Sequence, residues 1–231
     1  MITNIIFITL LIVTTLVFVD KLVMLTLDLR VSIKVLQIQM NWLSDEFQQP
    51  IIEKFWAYLD KIRISENIYI EMYDTIEEMN PNRTPDKYAA GTYVHLKPAY
   101  DTEINRIIHK APKIRLVNES KNTNVCTYAH ELGHHFAITK HGDDSEEAAD
   151  AYIMQLGLEC LDRFELVILG NKLEIHSKVK LPFNRNDEFD RFAKIESDKL
   201  RHIEVAKLNY ALFGWILIVY AKLCIIIENI I

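Results

Sequence analysis

The residues of this chain best equipped for chemistry are His130, Glu131 and His134, in the run His130-Glu131-Leu132-Gly133-His134. Val125, Ala129, Leu132 and Phe136 recur around them at helical spacing, so residues 124–136 read as a helix with one apolar stripe facing a core. His130 and His134 then project from one face on successive turns. That geometry lets two imidazoles bind one tetrahedral zinc ion at about 2.0–2.1 Å. Glu131 follows the first histidine directly, where a carboxylate can reach the attacking water without being a ligand.

A catalytic zinc site needs a third protein ligand and an open position. Residues 143–152 supply candidates on what reads as a second helix, capped by Asp144 or Ser145. Glu146 and Asp150 share a face of it. Glu146 is the expected third ligand, and Asp150 is placed to accept a hydrogen bond from His130 and fix its tautomer. Glu147 is the rival ligand, about a hundred degrees around the same helix.

With these residues in place, the chain resembles the gluzincins, peptidases that hold zinc with two histidines and a glutamate. It is most similar to the ImmA/IrrE-type metallopeptidases, through HELGH followed by Glu146-x-x-Ala149-Asp150-x-Tyr152. The upstream stretches Gly91-Thr-Tyr-Val94 and Ile114-Arg-Leu-Val-Asn118 also resemble that family's strands, and the match covers roughly residues 88 to 158. The resemblance implies that His130, His134 and Glu146 bind one zinc ion per chain and that Glu131 is the catalytic base. It also implies one or a few protein substrates, such as regulators. A metzincin would need Gly at position 137 and His at 140, where this chain has Ala137 and Lys140.

The elements that must position these residues read as follows. From Ser44 a helix carries Phe47, Ile51, Phe55, Tyr58 and Ile62 on a stripe, with Pro50 near its start. Residues 64–73, 87–96 and 113–117 read as strands, with loop between the first two. Zincins hold substrate as an extended strand on a sheet edge beside the metal, and residues 113–118 are the expected edge. His95 and His109 lie near these strands as oxyanion candidates. Downstream, His141 and Tyr152 are candidates for stabilising the transition state, and His135 points elsewhere. Residues 164–169 and 172–179 read as a hairpin around Gly170-Asn171. The fold class expected is α+β: a small zincin-like domain whose three-stranded sheet packs on the HExxH helix and a Glu-bearing helix.

That domain is expected between two transmembrane helices. Residues 1–19 carry no charged side chain and as a helix span about 28 Å, close to the hydrocarbon thickness. No basic n-region or small-x-small cleavage site marks them as a signal peptide. Residues 208–227 carry one charge, Lys222, with Tyr210, Trp215 and Tyr220 loosely resembling an interfacial belt. The expected organisation is an anchor over 1–20, a helical connector over 21–62, the metallopeptidase domain over 63–185, a helical stalk over 186–207 and a second span over 208–227. Residues 25–35 fit both strand and helix periods and are read as helix leaving the membrane. Lys21, Arg30 and Lys34 follow the first span and Lys199, Arg201 and Lys207 precede the second, which places the domain on the cytoplasmic side.

Composition narrows the partners. A net charge of −6 without a basic stripe gives no sign of nucleic-acid binding, leaving a protein or peptide substrate and membrane lipid. The three cysteines, 126, 160 and 224, are too few and too widely spaced for a disulfide framework and fit reduced thiols. Cys126 lies one turn before His130 and reads first as a buried apolar residue, with a fourth-ligand or redox role as the alternative. The expected function is a membrane-anchored zinc endopeptidase. The alternative is a zinc-dependent or non-catalytic regulatory binding protein at the membrane.

Overall fold

The computed structural model describes residues 2–95, 99–101, 106–108, 111–118, 121–176 and 180–228. The chain divides into two compact units, one of residues 1–41 with 190–231, the other of residues 42–189.

In the first unit, helix α1 (Ile2–Trp42) is continuous, so residues 25–35 are helical and no break separates anchor from connector. It pairs with the later part of the C-terminal helix, through Lys34 Nζ to Glu204 Oε1 at 2.7 Å and Arg201 to Asp28 at 3.1 Å. Beyond these charges both helices present bare apolar faces, with Phe7, Leu16, Phe18, Phe213 and Trp215 all more than half exposed. Each is long and apolar enough to cross a membrane. Two hydroxyls on the apolar part of α1 are satisfied internally. Thr14 donates to the Leu10 carbonyl at 3.0 Å and Thr15 to that of Leu11 at 2.8 Å. Hydrocarbon, which offers no partners, requires such local satisfaction.

The second unit is mostly helical with a small sheet. Helix α2 (Asp45–Ser65) starts at Ser44, whose hydroxyl accepts from the Phe47 N–H. Its buried face is Ile51, Ile52, Phe55 and Leu59, which includes Ile51 and Phe55 of the expected stripe and leaves Phe47, Tyr58 and Ile62 half-buried. That burial makes α2 part of the domain's core, and the unit begins at Trp42 instead of residue 63. Trp42 is held there edge-to-face by Phe164 and by Phe189, at ring distances of 5.1 and 5.4 Å. Pro50 lies inside the helix on its exposed side.

After α2 the chain turns at Asn67, which has a φ of 53°. It then enters β1 (Tyr69–Tyr73), the short α3 (Ile76–Met79) and β2 (Gly91–Val94). Strands β3 (Ala99–Asp101) and β4 (Arg106–Ile108) form a separate antiparallel pair that the sequence reading lacks. Strand β5 (Lys113–Val117) follows. The main sheet has the order β1-β5-β2, with β5 parallel to β1 and antiparallel to β2. The expected edge at residues 113–118 is therefore the centre of the sheet. The reason lies in β5 itself: Ile114, Leu116 and Val117 are buried, so both faces are covered. Lys113 and Arg115 clamp Glu71 on β1 at 2.7 and 3.0 Å. The edge beside the helices is β2.

Helices α4 (Lys121–His141), α5 (Glu146–Cys160) and α6 (Arg163–His176) complete the unit, and the first residues of α7 (Arg185–Glu228) close it. Val125, Ala129, Leu132 and Phe136 of α4 are buried, as their spacing predicts. The Tyr128 hydroxyl donates to Asp60 on α2 at 2.8 Å. The hairpin expected around Gly170 is helix α6 instead. Leu166, Val167, Leu169, Leu173 and Gly170 itself pack inward, and a β-carbon on Gly170 would sit 2.5 Å from Arg185 Cδ.

Candidate metal centre

Four residues join the two helices that carry the site. Gly142, with a φ of +66°, ends α4, and the Ser145 hydroxyl caps α5 by accepting from the Ala148 N–H at 3.2 Å. Asp143 supports this turn by accepting from the Ser145 N–H at 2.9 Å. Ser145, and not Asp144, is therefore the cap. The short turn makes α4 and α5 an antiparallel pair, and Gly133 lets them touch: a β-carbon there would overlap the Ala149 carbonyl. Backbone contact at that point brings the first turn of α5 onto the His130/His134 face.

The ligand atoms of His130, His134 and Glu146 lie within 4.8 Å of one another, close enough to hold a metal ion. Glu146 Oε2 is 3.0 Å from His130 Nε2 and 3.6 Å from His134 Nε2. Two ligand atoms each at about 2.0–2.1 Å from a tetrahedral ion stand about 3.3 Å apart, so these separations bracket what such an ion requires. The imidazoles are perpendicular, at an interplanar angle of 88°. Glu147, the rival ligand, is exposed and outside this group.

The surroundings favour ligation. His130 Nδ1 lies 2.9 Å from Asp150 Oδ1, which fixes the proton on Nδ1 and leaves the Nε2 lone pair for a cation. His134 Nδ1 is buried with no hydrogen-bond partner among the described residues, and the Asp144 carboxylate lies 3.8 Å from it. Burial lowers the pKa of His134, and the neighbouring His130 lowers it further, so this ring is held in the neutral form a metal needs.

Glu131 lies deeper, at 5% exposure, and accepts a hydrogen bond from the Tyr93 backbone N–H. Burial pushes its pKa up to about 8, with the charge of Glu146 adding to the rise. Gly91 on β2 makes this approach possible, because a β-carbon there would lie 2.6 Å from Glu131 Oε1 and 2.5 Å from Thr127 Cγ2. Glu131, the three potential ligands and Asp150 face one cavity of about 650 Å³, whose opposite wall is the segment from Ala89 through Tyr93. The arrangement can hold a divalent cation beside a buried carboxyl group and an edge strand.

Other expected residues lie elsewhere. His141 is exposed at the end of α4, and Tyr152 is buried against Phe136 at a ring distance of 5.5 Å; neither lines the cavity. Cys126 is buried, its Sγ 3.1 Å from the Lys172 carbonyl oxygen, and burial pushes its pKa up to about 12. It is neither a ligand nor a reactive thiolate. His109 lies outside the described residues. His95 touches the site's periphery through the Tyr93 hydroxyl, at 3.2 Å.

The sequence reading missed Tyr93 and Arg83. The Tyr93 hydroxyl lies 3.0 Å from Nδ1 of the buried His135, whose Nε2 is 3.5 Å from Glu66, and burial raises the phenol's pKa to about 12. Gly91-Thr-Tyr-Val94 stood out only as a strand, and nothing in its pattern indicated which side chain would line a cavity. Arg83 sits in a Pro-rich loop with no motif to mark it. No known protein family, curated protein or solved structure matches this chain.

Proposed function

We propose that the chain is a membrane-anchored, zinc-dependent endopeptidase of gluzincin type, with a zincin-like domain on the cytoplasmic side of the membrane. The observation that carries this reading is the convergence of His130, His134 and Glu146 within 4.8 Å, with Glu131 buried beside them in one cavity. Paired imidazoles with one carboxylate suit zinc, and a site of three protein ligands keeps a position open for chemistry. A zinc ion held there would polarise the scissile carbonyl and lower the pKa of water.

The chain's own residues do the rest. Asp150 holds the Nδ1 proton of His130 and so keeps Nε2 free. Glu131 takes the proton of the attacking water on its carboxylate and passes it to the leaving amine nitrogen. The Tyr93 N–H keeps that carboxylate at the edge of β2. A substrate backbone laid along β2 would therefore be registered against the base. Such pairing tolerates many sequences and leaves selectivity to side-chain pockets.

The test is zinc content and peptide cleavage in the purified full-length chain and in Glu131→Gln. The reading expects one zinc per chain in both, cleavage in the first, and a loss of about 10²–10⁴-fold in the second. Equal turnover in the two proteins, or a folded wild type that takes up no zinc, would remove the proposal.

A further inference from the structure

The loop between α3 and β2 puts one cation into the same cavity. Arg83 is the single Lys or Arg among the described residues lining it. Its place is built. Asn80, 4% exposed, donates from Nδ2 to the Ile76 carbonyl at 2.7 Å and to the Ala89 carbonyl at 3.1 Å, and accepts from the Ala89 N–H at 3.3 Å. One buried side chain thus ties the end of α3 to the approach of β2. Within the closed loop, the Arg83 N–H donates to the Asn80 carbonyl at 3.1 Å and the Lys87 N–H to that of Thr84 at 2.8 Å.

The charges around the cavity have uneven roles. Asp150 is engaged by His130, Glu146 faces both imidazoles, and Glu131 takes the Tyr93 N–H. Arg83 has no ion-pair partner among the described residues. Ala89, Ala90 and Gly91 line the same cavity, residues too small to fill the space beside β2. A peptide extended along that edge directs alternate side chains to one face. A carboxylate presented there meets a guanidinium fork suited to bidentate binding.

We propose that Arg83 is a selectivity residue that anchors a substrate carboxylate beside the start of β2, a few residues from the scissile bond. The inference rests on the peptidase reading and names its substrate class: peptides acidic near the cleavage point. The carboxylate comes either from an Asp or Glu side chain or from the peptide's own C-terminus.

The experiment uses full-length, zinc-loaded protein in detergent, made cleavage-deficient by Glu131→Gln. Fluorescent peptides differing only by Glu, Gln or Lys at one scanned position, each with a free or amidated C-terminus, are titrated by anisotropy. The same set is titrated against the Glu131→Gln, Arg83→Glu double variant. The inference expects one position at which Glu binds about tenfold tighter than Gln, with the preference turning to Lys in the double variant. Where the terminal carboxylate is the anchor, the scanned position is silent and amidation instead weakens binding about tenfold, an effect lost in the double variant. Equal binding of all peptides, no binding of any, or an acidic preference that survives Arg83→Glu overturns it. Cleavage of the same peptides by protein retaining Glu131 is scored separately. Cleavage without charge preference sinks the inference and keeps the peptidase, whereas Arg83-dependent binding without cleavage of any peptide removes the peptidase and with it the substrate role, leaving only a carboxylate-binding site.

Discussion

Gly133 on α4 meets the backbone of Ala149 on α5, and a β-carbon at Gly133 would overlap the Ala149 carbonyl oxygen. This contact lies between His130 and His134 on one helix and between Glu146 and Asp150 on the other. It sets the separation of the residues that could hold a metal ion. Gly133→Ala improves helix propensity by about 1 kcal/mol, yet the new methyl meets backbone that cannot rotate away. The net expectation is a loss of about 1–3 kcal/mol in thermal or urea unfolding and weaker zinc uptake. An unchanged melting curve with normal zinc affinity would show that the helices do not need this contact.

Glu146 and Glu147 are neighbours in sequence with different geometry, since only Glu146 reaches both imidazoles. Glu146→Ala should reduce zinc content far below one per chain, while Glu147→Ala retains it. Elemental mass spectrometry on the two variants decides the ligand. Full zinc in the first and loss in the second would reverse the assignment.

Asp150 Oδ1 lies 2.9 Å from His130 Nδ1 and outside the group formed by His130, His134 and Glu146. Asp150→Asn preserves shape but removes the charge that orients the imidazole and raises its basicity. Zinc affinity should fall about 10–100-fold, read by competition with a chelating dye. A drop as large as that from removing a ligand would mean that Asp150 contacts the metal itself.

Glu131 should lower the stability of the metal-free protein. Its folded pKa, about 8, stands above the value in an unfolded chain, so between about pH 4.5 and 8 the unfolded state ionises while the folded state resists. Folding stability from this group is present below the lower pKa and lost as pH rises towards the higher one. Chelator-treated Glu131→Gln should therefore be more stable than wild type at pH 8, with the gap closing towards about pH 5. Zinc should shrink the gap by favouring the carboxylate. Parallel pH–stability curves for the two proteins would contradict the assigned cause.

The bare apolar faces of α1 and α7 make a physical prediction about handling. The full-length chain should remain with membranes through alkaline carbonate extraction and require detergent for solubility. Release by carbonate alone would mean these helices are covered by protein instead of lipid.

The site was the legible part of the sequence because its ligands sit on two adjacent helices. Helical periodicity fixes which side chains share a face, so spacing pairs His130 with His134 and Glu146 with Asp150, and the need of a zinc site for a third ligand joins the two pairs. The sheet was less legible. Strand β5 was found at its true limits, but its position among the strands depends on pairings between segments far apart in sequence. That is why β5 was expected at the edge and β2, which forms the cavity wall, was overlooked in that role. Gly170-Asn171 misled for a different reason. The pair is a strong local turn signal, and tertiary packing of Gly170 against Arg185 and Leu181 overrode it. Tyr93 and Arg83 belong to elements with no repeating pattern, so only three dimensions reveal them.

The contact between Trp42 and Phe189 bears on how such a protein could have been assembled. Both residues belong to the globular unit, so that unit starts and finishes at adjacent points. A module whose ends lie side by side can be inserted into a longer chain, or lifted out of one, without unravelling its interior. Residues 42–189 are therefore a practical piece for crystallisation or for grafting onto a different anchor.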